Sequence, residues 1–374
     1  MYIKELKLQN FRNYDRLNIT FTAGLNIIVG LNAQGKTNLL ESIYVLNTTK
    51  SHRTSIDKDL IKEKKKNFKI EANLITDNFQ NLYKLYIDDI SKKLFINNTA
   101  ITKISDYLKD TGVIIFYPED LDLIKGNPQQ RRKYLNTELS QLNTSYVMIL
   151  ADYNKLLKMR NNLLKKEAKK ELIDVVYFEA ITDHLITRAV YLYKYRTKFI
   201  EKINKYAPSI YSQIGESDHF QIIYKNNLDI VINDEEMIKA QLLKLYNNNH
   251  KSEVRFGASL YGPHKDDFEF VLNGKNLQTF GSQGQQRIGV LSLKLSEIDI
   301  FKETKKTNPI VLLDDIFSEL DVKKRNNVMK YLNSDIQTII TTTDLKNIKK
   351  KILKNAKIFI IDEGKVREET TYGN

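Results

Sequence analysis

Cysteine is absent from all 374 residues. Its absence excludes a disulfide framework, a thiol nucleophile and any thiolate-bound zinc, and it accords with a reducing cytosol. Long apolar runs are also missing. None approaches the roughly 18 residues needed to span a bilayer, and the amino-terminal stretch MYIKELKLQNFRNY lacks the apolar core of a secretory signal. These absences predict a soluble, unexported, cytoplasmic protein with no membrane partner. Histidine is sparse as well. His52, His184, His219, His250 and His264 all lie too far apart in sequence for a helical two-histidine metal site.

Positive charge is in excess. There are 59 Lys and Arg against 46 Asp and Glu, a formal net charge of +13, which suits an anionic polymer or membrane surface as partner. Lysine, asparagine and isoleucine are all abundant, so a biased genome explains the same balance equally well. Lysines cluster at 62–69, 163–170, 322–327 and 345–357. Each cluster reads as a solvated face as readily as a contact surface, and its value depends on where the fold puts it.

The hydrophobic pattern predicts strands at YIKELKL, LNITF and LNIIVG, followed by a helix over KTNLLESIYVL. Alternating strands follow at 68–74 and 82–101, with a turn at INNTAI, and then a buried strand, GVIIFYP. From about Leu121 to Lys205 the spacing is helical, and Pro208 is expected to end the last long helix. A strand (FQIIYK) and a helix near 234–247 complete this stretch. The β signal returns with DDFEFVLNGKNLQTF, a hairpin turning at Asn273 and Gly274. Strands and helices then alternate through PIVLLDD, 321–332, QTIITTT, 344–354 and KIFIID, which implies a parallel sheet. The expected organisation is an α/β core built from residues 1–120 and 256–374, with a compact helical lobe, 121–255, inserted into it.

Two stretches carry chemistry on their own terms. GLNAQGKT matches G-x-x-x-x-G-K-T between a buried strand and an amphipathic helix. Gly30, Leu31, Asn32, Ala33, Gln34 and Gly35 would wrap a β-phosphate with backbone amides. Lys36 would bridge β- and γ-oxygens, and the Thr37 hydroxyl would ligate Mg²⁺. PIVLLDD brings Asp314 to a strand end, where it can hold Mg²⁺ through water, with Asp315 beside it to orient or deprotonate the attacking water. Paired aspartates after a strand also suit an Asx-turn or helix cap. A third stretch, GSQGQQR (281–287), opens a helix, and Ser282 with Gln285 makes an S-x-x-Q capping box that needs no ligand.

Phosphate loop, distant S-x-G-Q loop, acidic strand end and SELD come in the order found in ABC- and SMC-type ATPases. Within that group, LQNFRNY with GLNAQGKTNLLESIY, FYPEDLDLIKGNPQQRRKYLN, YGPHKDDFEF, GSQGQQR and LLDDIFSELD closely resemble the RecF family of bacterial recombination mediators. The resemblance implies an ABC/SMC-type ATPase head that takes ATP and Mg²⁺. It implies that Ser282, Gly284 and Gln285 complete the ATP site of a second copy in a head-to-tail homodimer. It further implies binding to double-stranded DNA and to junctions with single strands, partners of the RecR and RecO type, a nucleoid-associated location and a role in loading recombinase. A weak, DNA-stimulated ATPase is expected, because Asp315 stands where ABC-type sites usually have the longer glutamate.

The sequence departs from the wider pattern in other places. Thr343 and Asp344 stand where a switch histidine is usual, and Glu119 is the one candidate for a lid contact. Arg53 stands where SMC-type heads place an arginine able to reach phosphate, though a lone arginine in a basic loop is equally a solvent or DNA contact, and by the same analogy the Arg12–Tyr14 turn could approach the nucleotide. His264 with Asp266 or Asp267 could suggest a metal, but with no second nitrogen ligand nearby a hydrogen-bonded loop before the hairpin is the favoured reading. Another SMC- or ABC-type head, serving chromosome structure or transport, is the alternative. A small-molecule kinase would need neither the distant loop nor SELD, and a structural head would use ATP only to dimerise.

Overall fold

The computed structural model describes residues 1–76, 79–215, 219–228, 230, 232, 234–332, 335–345 and 353–371. The chain divides into two units. One comprises Met1–Asp120, Ser209–Ser217 and Val290–Asn374, the other Leu121–Pro208 and Asp218–Gly289. Residues 256–289, assigned to the core on the returning β signal, group instead with the helical unit. The reason is local: Asp267–Leu272 pairs with Phe220–Lys225 of that unit and with the short Lys275–Asn276.

The first unit contains two six-stranded sheets. One is antiparallel, in the order Tyr14–Thr20, Tyr2–Phe11, Asn67–Ile75, Gln80–Asp88, Lys92–Ile96 and Thr99–Ile101. Strict alternation buries Phe68, Ile70, Ala72 and Leu74 on one face, and on the other Glu71 takes ion pairs from Lys69 and Lys84. The expected turn falls at Asn97 and Asn98, both at positive φ. A second turn precedes it, where Asp88 Oδ1 accepts from the Ile90 and Ser91 amides.

The other sheet runs Lys365–Thr371, Lys357–Asp362, Leu25–Val29, Thr338–Thr342, Ile310–Asp314 and Val113–Phe116, parallel except for the first strand. Strands from both ends of the chain thus build one sheet, as expected. The central strands Ile310–Asp314 and Thr338–Thr342 are buried along their whole length, the usual state of a parallel sheet covered on both faces. Helix Lys36–Thr48 packs against strands of both sheets. It is therefore buried almost all round, through Leu39, Leu40, Ile43, Val45 and Leu46.

The second unit holds the long helices Pro128–Leu142, Thr144–Ala168 and Glu235–Phe256 and most of Val175–Ile214. Their ends follow capping chemistry. Asn127 and Gln130 form a capping box with Pro128 at the first helical position, Asn143 and Asp234 cap two others, and Gly257 ends the last in a left-handed conformation. Pro208 does not end its helix. Ala207, Ile210, Tyr211 and Ile214 are buried at helical spacing, and that packing carries the helix past the proline. The helix expected at 344–354 lies largely outside the described residues. None of the described helices is long and apolar enough to cross a membrane.

Two motifs far apart in sequence meet inside this unit. Arg131 of QQRRKYLN forms a two-pronged ion pair with Asp267 of GPHKDDFEF at 2.5 and 2.9 Å, and Arg132 donates to the Asp266 carbonyl at 2.7 Å. Buried Arg196 donates to Asp266 Oδ2 at 2.7 Å and to the Pro263 carbonyl at 2.5 Å. His264 is held at both nitrogens, Nδ1 by the Tyr153 hydroxyl at 2.6 Å and Nε2 by the Ser259 carbonyl at 2.9 Å. Burial pushes its pKa down to about 4. Of the two readings of His264, the hydrogen-bonded loop is the one observed.

Candidate nucleotide-binding site

Three neighbouring parallel strands set out the site. In the order Leu25–Val29, Thr338–Thr342, Ile310–Asp314, their carboxyl ends lie side by side, with Asp314 opposite Thr341 and Thr341 opposite Ile28. Ligands of open α/β sheets bind at this edge. The first strand runs into GLNAQGKT. Ala33 and Gly35 adopt positive φ there, 65° and 108°, bending the loop before helix Lys36–Thr48 begins.

Lys36 is buried, and its Nζ donates to the Gly30 and Leu31 carbonyls at 2.6 and 2.8 Å. Burial lowers its pKa, while the charges of Asp315 and Asp314 raise it in part. The Thr37 hydroxyl donates to Asp314 Oδ1 at 3.1 Å, and Thr341 donates to the same oxygen at 2.7 Å. Burial raises the Asp314 pKa, against the hydrogen bonds from Thr341 and Thr37 and the charge of Arg53. Asp315 sits in a left-handed conformation, φ 49°, with its amide bonded to Thr341 Oγ1 at 3.0 Å. Thr341 thereby ties both aspartates to the middle strand, a role the sequence reading missed. The run of hydroxyls in TTTD was the available signal, but it drew attention to Thr343 and Asp344. Thr343 is exposed, and the Asp344 amide bonds back to Thr342 Oγ1 at 3.4 Å.

Around the loop, the FRNY turn has a clear task. The Tyr14 hydroxyl donates to the Gly35 carbonyl at 2.9 Å, and Asn13 Nδ2 donates to the Gln34 carbonyl at 3.3 Å. Arg12, in the same turn, pairs with the helix that follows the loop. It grips the fully buried Glu41 through Nε and Nη2 at 2.9 and 2.8 Å. Glu41 also accepts from Ser51 at 2.6 Å and Arg53 at 3.3 Å. Burial by itself would raise the Glu41 pKa, but the hydrogen bonds from Arg12 and Ser51 and the charges of Arg12 and Arg53 leave it below its ordinary value. Arg53 donates to Asn38, the residue after Thr37, at 2.9 Å. Glu119 is exposed on the short turn Pro118–Leu121.

These residues fit a Mg²⁺–triphosphate. A buried ammonium lies against the loop, and a hydroxyl and a carboxylate share one hydrogen bond, a hard-oxygen pair of the kind Mg²⁺ takes. Among the described residues no cluster of three or more His, Cys, Asp or Glu side chains is present that would cage a metal unaided. A Mg²⁺ ion here would complete its shell with phosphate oxygens and water.

The second loop lies at the start of helix Gln283–Lys305, in the other unit. Its capping box is formed: the Ser282 amide donates to Gln285 Oε1 at 2.9 Å, and the Gln285 amide donates to Ser282 Oγ at 3.2 Å. Ser282 and Gly284 are exposed. A Cβ built on Gly284 would meet only Ser282 Oγ, at 3.9 Å, so nothing in its own chain requires glycine there.

Known proteins share this fold. Residues 2–367 match the family described as RecF/RecN/SMC N terminal domain. The DNA replication and repair protein RecF of Lactobacillus johnsonii is 39% identical over 369 residues, 98% of this chain and 99% of the relative. That of Ligilactobacillus salivarius is 38% identical over 374 residues, 100% and 99% of the two chains. A solved structure titled as the recombination mediator protein RecF with ATP in the RecFOR pathway is similar at a TM-score of 0.91 and 30% identity, covering 99% of this chain and 97% of that one. A Smc head bound to the C-winged helix domain of ScpA shares the fold, at a TM-score of 0.57 and 16% identity over 100% and 98% of the chains. The chain belongs to the RecF family, within the ATPase heads that RecF shares with RecN and SMC proteins.

Proposed function

We propose that the protein is an ATP-dependent DNA-binding protein of recombinational repair, in which ATP joins two copies head to tail. The phosphate loop of one copy, Gly30–Thr37, holds the nucleotide with Mg²⁺ on Thr37 and Asp314, and Ser282, Gly284 and Gln285 of the second copy close over it. The observation that carries this reading is the exposed Ser282–Gln285 box, where open space above Gly284 lets a phosphate approach the amides of a capped helix start. ATP then acts as intermolecular glue, and its hydrolysis removes the contact.

Asp315 orients or deprotonates the attacking water, with Lys36 steadying charge on the phosphates. Its side chain is one methylene shorter than glutamate, and misplacing a base by about 1 Å costs on the order of 100-fold, so the ATPase is a slow release timer. The paired heads grip duplex DNA near single-strand gaps and work with RecR- and RecO-type partners in the cytoplasm, on the nucleoid. Relatives named for replication, repair and the RecFOR pathway support this part of the reading.

Sedimentation with and without Mg²⁺–ATP tests the assembly. Dimers are expected only with nucleotide, and Ser282→Arg should remain monomeric while binding ATP normally. A wild-type monomer at saturating Mg²⁺–ATP rejects the mechanism. Equal loss of pairing and ATP binding in Ser282→Arg would reduce the box to a local cap.

A further inference from the structure

A phosphate loop binds its anion with inward amides, so its outward carbonyls need donors elsewhere. At Gln34 some of those donors come from far along the chain. The Gln34 carbonyl accepts from the Gly364 amide at 3.1 Å as well as from Asn13. Its side chain turns the same way, with Oε1 accepting from the Glu363 amide at 2.5 Å. Glu363 and Gly364 form the turn between strands Lys357–Asp362 and Lys365–Thr371. Both are left-handed there, φ 46° and 70°, and together they offer two successive amides to one residue. A Cβ at position 364 would lie 3.2 Å from Asn13 Nδ2 and 3.4 Å from the Asn13 carbonyl oxygen, so glycine is what admits the turn this close. The sheet sets the placement, because Lys357–Asp362 pairs in parallel with Leu25–Val29, the strand that delivers the loop.

We propose that the Glu363–Gly364 turn is a clasp that preorganises the phosphate loop for its nucleotide, and that the Gln34 side chain is a positioning residue for the loop. The inference rests on the reading of residues 30–37 as an ATP site. Without the clasp, the loop apex must be ordered when the anion arrives, and the cost appears as weaker binding.

A fluorescent ATP analogue with Mg²⁺, titrated into the full chain, tests this. Gln34→Ala removes the side-chain acceptor on an exposed loop, and Gly364→Ala pushes the turn against Asn13. Each should weaken binding about fivefold, the scale of one hydrogen bond. The double variant should lose no more than the weaker-binding single, since both break one device. Ligand-free melting of Gln34→Ala should match wild type, which separates positioning from support of the fold. Wild-type affinity in both single variants, additive losses in the double, or a ligand-free stability loss in Gln34→Ala would each overturn the clasp while leaving the ATP reading in place. Failure of the wild-type chain to bind the analogue would sink the ATP reading, and the clasp with it.

Discussion

His264 is a histidine whose protonation state follows from its neighbours. The Ser259 carbonyl can only accept, so Nε2 carries the hydrogen and Nδ1 takes the Tyr153 hydroxyl proton. A second ring proton would put two donors face to face. Its pKa in the folded protein is about 4, against 6.5 for an ordinary histidine. A depressed folded value means that the stabilisation is complete above about pH 6.5 and is lost as pH falls towards 4. Removing the imidazole with His264→Gln should therefore cost most at pH 7. By pH 4 the gap to wild type, read from denaturant midpoints, should narrow by up to about 3 kcal/mol. A gap that does not change with pH would contradict the neutral buried imidazole. The sequence favoured a hydrogen-bonded loop over a metal, since no second nitrogen ligand is nearby, but its partners Tyr153 and Ser259 cannot be read from GPHKDD. Thr341 was missed for a related reason. Gly30–Thr37 form a contiguous loop with a local logic, whereas Thr341 meets Asp314 only through the pairing of two strands. Glu41 is legible as a residue of the helix after the loop, but its grip on Arg12 and Arg53 appears only when three separate segments come together.

At the scale of elements, apolar periodicity located nearly every strand and helix, and its failures have identifiable causes. The 40-residue helix Val175–Ile214 contains Pro208, which has no N–H to offer the residue four before it. A proline costs an interior helix about 3 kcal/mol, and it repays up to about 1 kcal/mol by stiffening the unfolded chain. The helix persists because Ala207, Ile210, Tyr211 and Ile214 lose more by exposure than the proline costs. Pro208→Ala should then stabilise the protein by about 2 kcal/mol, visible as a higher melting temperature. An unchanged or lower value would contradict the account of the proline as a net cost to the helix. Residues 256–289 were misassigned for the converse reason. The hairpin at Asn273–Gly274 was recognisable from its turn chemistry, but a hairpin does not announce which sheet it joins. Only the register of Asp267–Leu272 against Phe220–Lys225 settles that.

Across the whole molecule, the proposal that ATP bridges two copies gives the charge of +13 a specific consequence. Binding to duplex DNA through lysine and arginine releases counterions, and log K falls with log[salt] at a slope of about −0.9 per phosphate neutralised. A single copy contributes one set of contacts. Two copies joined by ATP on one duplex contribute two sets within a single binding event, so the slope should roughly double, whatever the absolute affinity. Titrations of a short duplex at several salt concentrations, with and without Mg²⁺–ATP, measure this directly. Composition alone could not have specified it, since genomic bias accounts for the same lysines, and a merely basic protein would show one slope in both conditions. The exposed lysines 64–66 and 165–166 belong to different units of the fold, and either group can supply the contacts. The ratio of slopes does not depend on which does. A slope indifferent to ATP would separate nucleotide binding from DNA binding and dismantle the switch. A slope that steepens in wild type but not in Ser282→Arg would place the second set of phosphate contacts on the ATP-joined copy.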